Sequence, residues 1–149
     1  MAASLFCVSA KPVSAQQEFT KQVLLIPDFE GPNRGLARKA ADVVRSQTER
    51  GSNKREVEIV DHGDVEQTLE KSGFNTDSMI NPSVRRTLIQ RFRADEYLTG
   101  LVDRTKEGQV RIVARLVLTR DEHMTQPLPT AVAGNVDAAA SQLATSLRA

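Results

Sequence analysis

The sequence contains few of the residues on which disulfide frameworks, aromatic cores and membrane anchors depend. Its 149 residues include a single cysteine, Cys7, so no disulfide can form within the chain. Tryptophan is absent and aromatic residues make up 4% of the chain, so aliphatic side chains and alanine must fill the core. No run of about eighteen apolar residues occurs, and a helix that spans a membrane is therefore not expected.

An excess of charge of either sign is also missing. Twenty basic and nineteen acidic residues nearly cancel, and the formal net charge is +1. Such a balanced chain has no long-range field to attract DNA, RNA or an anionic bilayer, so nucleic acid is not an expected partner. Hydrophobic residues make up 40% of the chain, which is enough for one folded domain with a core.

The first twenty residues differ from the rest. Residues 2–10 are mostly small or apolar, and Val13-Ser14-Ala15 resembles the small-x-small cleavage site of an export leader. No basic residue precedes the apolar stretch, because Lys11 follows it. We expect residues 1–20 to be a leader remnant or a flexible tail, and residues 21–149 to be a single α/β domain. Cys7 is then discarded with the leader, or it is a lipid-anchor site with an unfavourable neighbour in bulky Phe6.

The remaining chain alternates strand and helix patterns. The apolar run at 22–29 is typical of a central strand covered on both faces, with Pro27 near its end. Apolar residues three and four apart, with capping residues such as Asn81 and Asn135, predict helices at about 35–50, 65–72, 82–93 and 136–147. A short strand is predicted at 57–60, and one edge strand, broken by Pro127 and Pro129, lies between 121 and 135.

Residues 94–119 carry the clearest pattern, two long strands joined by a tight turn at Lys106-Glu107-Gly108. Beyond the turn, alternate residues from Val110 to Leu116 are apolar, a period of two that places one face on a core and the other mostly in water. The elements together predict an α/β fold. It has a single mixed sheet with a parallel strand-helix-strand start, a late antiparallel hairpin, and helices packed on it.

Two motifs resemble those of a family of bacterial envelope domains. The first is residues 24–29, LLIPDF, a strand that ends in proline and phenylalanine, and the second is residues 94–102, ADEYLTGLV, with its Ala-Asp-x-hydrophobic-hydrophobic-x-Gly pattern. With the order of the elements, they make residues 21–148 similar to the amino-terminal domain family of TolB and its FlgO-like, CsgG-like and LpoB-like relatives. The layout is also similar to the amino-terminal module of some tetratricopeptide-repeat proteins.

The resemblance implies a function in binding rather than in catalysis. It implies a non-enzymatic module that assembles with or activates an envelope protein, or self-associates, in the periplasm or at the outer membrane. It transfers no catalytic residues to this chain and implies no cofactor. A downstream repeat domain, if the natural protein has one, would lie outside this sequence.

A basic third helix is the first candidate binding site. Arg85, Arg86 and Arg93 lie on it, and Arg86 and Arg93 share a face because they are seven residues apart. A solvated face and a partner surface both explain this pattern. The edge of the last strand is a second place where a partner could add a strand.

The loop at residues 31–35, GPNRG, is a candidate anion site with Gly31, Arg34 and Gly35 as its residues. It lies between a strand and a helix, where a helix N-terminus can hold an anion. It lacks the phosphate-loop and dinucleotide-binding motifs, so a plain connection is the simpler interpretation. Sensing of a small anion or nucleotide at this loop is the alternative function.

Catalytic and metal-binding patterns are weak. Asp61, His62 and Asp64 offer oxygen and nitrogen ligands, but helix capping by Asp61 or Asp64 explains them more simply. Asp95 and Glu96 could share a proton only if they were buried. No nucleophile with a base and an orienting group can be proposed from the sequence. We therefore predict that the protein is not an enzyme and that it has no metal site.

Overall fold

The computed structural model describes residues 21–75 and 81–148. The predicted leader or tail at 1–20, with Cys7, lies outside the described residues, as does most of the loop at 74–80. Four helices and six strands are formed in the described part of the chain. In chain order they are β1 (Gln22–Leu25), α1 (Arg34–Gly51), β2 (Val57–Ile59), α2 (His62–Lys71), α3 (Pro82–Phe92), β3 (Glu96–Arg104), β4 (Val110–Leu118), β5 (Thr125–Pro127), β6 (Ala131–Ala133) and α4 (Val136–Arg148).

The strands form one mixed sheet in the order β2-β1-β3-β4-β5, and β6 also pairs with β4. β1 pairs in parallel with β2 and β3, whereas β3 and β4 pair antiparallel along their whole length. Gly108 in the hairpin turn has φ +79°, which glycine adopts without steric cost. The predicted fold class, with its parallel start and late antiparallel hairpin, is confirmed.

Helices cover both faces of the sheet. α1 and α4 pack on each other and on one face, where Leu24 and Leu98 belong to the core. α2 and α3 pack on the opposite face, where Leu25 and Tyr97 belong to a second cluster. Because successive side chains of a strand point to opposite faces, Leu24 and Leu25 fall in different clusters. The apolar residues of the strand therefore cover both faces, as the sequence predicts for a central strand, but β1 ends at Leu25 and only part of the run at 22–29 is strand.

Each helix begins after a residue whose side chain accepts a hydrogen bond from a free amide of the first turn. The predicted caps Asn81 and Asn135 accept bonds of 2.9 and 2.8 Å from backbone N–H groups. Asp61 caps α2, with 3.2 Å between its Oδ1 and the amide nitrogen of Asp64. α2 consequently begins at His62, three residues before the predicted start. No helix among the described residues is long and apolar enough to cross a bilayer.

The chain after the hairpin differs from the prediction of one broken edge strand. Two short strands, β5 and β6, pair with successive parts of β4. Pro127 is the last residue of β5 and lies opposite Arg115, and the Leu128 N–H still donates to the Ala114 carbonyl at 3.0 Å. Pairing is interrupted at Pro129, which cannot donate to the ladder, and it resumes at Ala131. A second difference is the end of α3 at Phe92. Arg93 adopts a left-handed conformation, φ 51°, and so does not continue the helical face of Arg86.

Candidate functional site

The loop after β1 is held against β3 at Glu30. The Glu30 N–H donates to the Gly100 carbonyl, and the Glu30 carbonyl accepts from the Val102 N–H, both at 2.8 Å. This bridge brings Gly31 so close to β3 that a Cβ there would lie 2.2 Å from the Val102 carbonyl oxygen. Gly31 is therefore needed for a close approach of two backbones.

Arg34 and Gly35 form the first residues of α1. Asn33 Oδ1 accepts a hydrogen bond from the Leu36 N–H at 3.0 Å, so one amide that an anion would use is already bonded. Arg34 interacts with another part of the protein. Anion or nucleotide binding by Gly31, Arg34 and Gly35 stays a prediction that none of these contacts tests.

The two motifs that resemble the envelope family meet in the core. Phe29, from the first motif, is buried, and its ring lies on Gly100 of the second motif. A Cβ at Gly100 would lie 2.8 Å from a ring carbon of Phe29. The glycine is thus required by the aromatic ring that packs on β3, and the motifs reflect packing rather than chemistry.

A buried ion network joins α1 to the chain that follows β1. Arg45 is 6% exposed, and its Nη1 donates to the Ile26 carbonyl at 2.7 Å. Its Nη2 donates to Asp28 Oδ1 at 3.1 Å and to the Asp42 carboxylate. The His62 Nε2 lies 4.0 Å from Asp28 Oδ1. The buried Arg45 charge is thereby paired, as a buried charge requires, with Asp28, which is largely buried, and with Asp42, whose side chain is half exposed.

Asp28, Asp42 and His62 are also the described residues whose spacing would suit a metal, with ligand atoms within 4.8 Å of one another. The Arg45 guanidinium binds both carboxylates, so it already supplies the positive charge that a metal ion would bring. The arrangement is that of a structural ion network. Of the predicted trio only His62 lies in this group, and Asp61 caps α2 as the simpler interpretation expected.

One part of the sheet has none of the helices of residues 21–75 and 81–148 over it. α3 packs over the cross-strand pair Tyr97 and Val117 of the hairpin. The following residue pairs on the same face lie beyond the end of the helix. Leu101 and Val113 lie opposite each other there and are 47% and 42% exposed. Val132 of β6 is also exposed on this face, opposite Arg111. We call the surface of Leu101, Val113 and Val132 the open face.

Arginines border the open face. Arg85 of α3 stacks over the Tyr97 ring, 5.4 Å from its centroid, and its Nη2 lies 3.8 Å from Glu30 Oε1. With Arg115, it lines a shallow depression of about 390 Å³ that includes Leu101 and Val113. Arg111 donates to both carboxylate oxygens of Asp103, and these hydrogen bonds lower the pKa of Asp103.

The structure separates the three predicted arginines. Arg85 borders the open face, whereas Arg86 is exposed on α3 and Arg93 is exposed just beyond the helix. Leu101 was not identified from the sequence as a surface residue, and Leu101 and Val113 were not identified as a binding surface. The alternating pattern placed Val113 on the solvent face of β4. An apolar side chain at a solvent-facing position was the signal that could have indicated a binding surface.

The edge at β6 is occupied by a side chain. The Val132 N–H donates to Gln142 Oε1 at 3.3 Å, and Gln142 Nε2 donates to the Val132 carbonyl at 3.2 Å. The amide of Gln142 therefore takes the place of a neighbouring strand. In β5, Pro127 removes a donor from the edge. A partner strand at β6, as the sequence suggested, would have to displace Gln142.

Glu96 at the start of β3 is the described carboxyl group whose pKa is raised. Burial is the larger cause, and the charge of neighbouring Asp95 is the smaller one. Its position alternates with Leu98, so Glu96 points to the face covered by α1 and α4.

We expect Glu96→Gln to stabilise the protein at neutral pH. The pKa of Glu96 is higher in the folded state than in the unfolded state. Ionisation of Glu96 therefore lowers the free energy of unfolding as the pH rises through the folded-state pKa, whereas protonated Glu96 has no such cost. The variant's advantage in free energy of unfolding should vanish in acid, below the ordinary pKa of glutamate. Urea unfolding at a series of pH values measures this difference. Glu70→Gln, at an exposed position of α2, is the control, and a pH-independent difference for Glu96→Gln would contradict the assignment.

Comparison with known proteins shows similarity in fold. No protein-family model matches this sequence, and no curated protein matches it at a significant level. Lipoprotein GNA1162 from Neisseria meningitidis has a similar structure, with a TM-score of 0.53 and 20% identity over 74% of this chain and 77% of that chain. The LpoB C-terminal domain from Escherichia coli has a TM-score of 0.52 and 13% identity, over 77% and 86% of the two chains.

A PelC dodecamer from Paraburkholderia phytofirmans is also similar, with a TM-score of 0.50 and 12% identity over 87% of this chain and 88% of that chain. At these identities the likeness establishes the fold and nothing finer. The LpoB-like fold that the two motifs implied is thereby confirmed. Membership of the family stays a prediction.

Proposed function

We propose that this chain is a non-enzymatic interaction module of the bacterial cell envelope and that it binds another protein through the open face. The observation that carries the proposal is the exposed apolar pair Leu101 and Val113 on the uncovered half of the hairpin. An apolar patch rimmed by polar groups is a common mark of a protein-binding surface. Pairing along the whole of β3 and β4 holds these side chains in place, so binding orders little new structure.

The charges at the rim indicate the partner's chemistry. Arg111 is neutralised by Asp103, and Arg85 lies near Glu30, whereas Arg115 stands exposed opposite Thr99. The rim therefore favours an acidic group beside an apolar side chain of the partner. Arginine also suits interfaces because its planar head bonds carboxylates in pairs and packs on rings.

Binding rather than catalysis is also supported by the location of the charged groups that the fold gathers. Arg45 of α1 donates hydrogen bonds to the carboxylates of Asp28 and Asp42, away from the open face. Their contacts fix a helix to the sheet, which is an architectural role.

The names of similar structures support the envelope as the location. One is a lipoprotein, another is LpoB, and PelC is described as a dodecamer. We therefore propose a periplasmic protein, associated with the outer membrane, whose partner is an envelope protein or a second copy of this chain. Of the three arginines that the sequence singled out, Arg85 borders this surface.

The test of this proposal is Leu101→Lys, which places a charge at the centre of the open face without touching the core. Because central interface residues contribute about 2 kcal/mol or more, we expect self-association or partner binding to weaken by about 30-fold. Sedimentation velocity measures self-association, and affinity purification from an envelope fraction with quantitative mass spectrometry measures partner binding.

Phe74→Lys is the matched control, because Phe74 is also an exposed large apolar residue but lies beyond α2. It should retain the binding of the unsubstituted chain. If Leu101→Lys keeps the same oligomeric state and the same partners as that control, the open face is not the binding surface.

A further inference from the structure

A groove crosses the sheet at the end where α1 finishes, on the face opposite to the open face. It consists of two adjoining clefts of about 380 and 300 Å³ that share Glu96 and Leu116. The end of α1, with Thr48, and Leu147 of α4 form one side, and Met124 lies on the other. Clefts of about 300 Å³ and more are the size of small-ligand sites.

Part of the lining of the groove is apolar, and the rest is polar. Leu24 and Leu116 lie on the floor, and Leu147 packs beside them without being fully buried. Met124 is 61% exposed at the far side. The fold leaves this apolar surface in contact with water, and an alkyl chain in the groove would remove it from water.

Two of the polar residues that line the groove, Thr48 and Glu96, are relevant to a ligand. Thr48 is 3% exposed, and its Oγ1 has no hydrogen-bond partner in the described chain. Glu96 stands where the two clefts meet, and no ion pair of Glu96 forms among the described residues. A buried hydroxyl and a half-buried carboxyl are costly unless a partner bonds them.

The charged residues that line the groove indicate the charge of the ligand. Among the described residues that line it, Glu56 and Glu96 carry carboxyl groups and none is lysine or arginine. His123 stands at the outer end of the smaller cleft. A cation in the centre would favour the ionised form of Glu96 and offset the cost of its burial.

We propose that this groove binds an aliphatic primary amine. The ammonium group donates to the Glu96 carboxylate, and the alkyl chain lies along Leu24, Leu116 and Leu147. An ammonium has three N–H donors and no acceptor, which suits a site that offers the carboxylates of Glu56 and Glu96 together with hydroxyl and amide oxygens. The site does not depend on the proposed function, because the open face lies on the other side of the sheet.

The test compares three compounds with the same chain length and different head groups: octylammonium, octanol and octanoate. Each is titrated at neutral pH into the full chain labelled with ¹⁵N, and the amide signals of groove residues such as Leu116 and Met124 report binding. A hydrogen-bonded ion pair adds about 1.5–3 kcal/mol, so octylammonium should bind at least about ten-fold more tightly than octanol. Octanoate should bind most weakly.

Glu96→Gln should reduce the affinity for octylammonium to that for octanol, whereas Glu70→Gln should leave it unchanged. Equal binding of the three compounds, or a preference that survives in Glu96→Gln, would overturn the proposal. Changes in the amide signals that are centred on Leu101 and Val113 would also overturn the proposal. A peptide Ala-Leu-Lys-Leu-Ala with blocked ends that binds the groove where octylammonium does not would assign it to protein docking instead. Titration of Leu101→Lys separates the two proposals, since this variant retains the groove.

Discussion

Replacing Arg45 with leucine is expected to lower the free energy of unfolding by about 3–5 kcal/mol, because it removes one partner of a buried ion network. The Ile26 carbonyl would lose the donor that lies 2.7 Å away. Asp28, which is itself largely buried, would lose its guanidinium partner. Leucine keeps much of the apolar volume, so the loss reports the broken polar contacts. Urea unfolding followed by circular dichroism measures it.

Arg38→Leu is the matched control for this result. Arg38 lies seven residues earlier on α1, and its Nη2 is 2.6 Å from Glu66 Oε1 in a pair that is substantially exposed. Such pairs contribute about 0–1 kcal/mol, since water already solvates both charges. Similar losses for Arg45→Leu and Arg38→Leu would show that burial of the Arg45 network contributes little.

Gly31→Ala is expected to cost about 3 kcal/mol of unfolding free energy, because the added methyl group meets backbone rather than a movable side chain. Its Cβ would lie 2.2 Å from the Val102 carbonyl oxygen. Relief of this clash requires the chain at Glu30 to move away from β3. That movement breaks the two 2.8 Å hydrogen bonds of the bridge. Thermal and urea unfolding of the variant measure the cost.

Gly35→Ala is the control for the glycine substitution. A Cβ at Gly35 would find its nearest neighbour, Asn33 Oδ1, at 3.5 Å, an ordinary contact distance. Since Gly35 is in the first turn of α1, alanine should add about 0.5–1 kcal/mol through its higher helix propensity. If Gly31→Ala is as stable as the unsubstituted chain, the bridge between Glu30 and Leu101 is absent in solution.

The helices could be predicted because their signals are local. Asn81 and Asn135 are capping residues in the sequence, and each side chain bonds an amide two or three residues ahead. The sequence left two possible starts for α2, because both Asp61 and Asp64 could cap it. In the structure Asp61 caps the helix, and His62 of its first turn lies 4.0 Å from Asp28 in the chain that follows β1.

The short strands and the candidate sites were harder to predict. β5 and β6 have three residues each, and they exist as strands because β4 offers them an edge. The sequence singled out Arg85 for its charge, but it could not show that Leu101 and Val113 stay uncovered. Their exposure depends on how far α3 reaches across the hairpin.

Interactions between near neighbours in the chain therefore determine the secondary structure of this protein, and contacts between distant residues determine its candidate sites. The kinds of elements, their order and the mixed sheet follow from the amino-acid sequence, because periodicity, caps and turn residues act between near neighbours. Three features follow from the fold instead: Gly31 and Gly100 make room for other groups, Arg45 pairs its charge in the interior, and the described helices leave half of the hairpin open. Those outcomes depend on distances between residues far apart in the chain, and no local pattern records such distances.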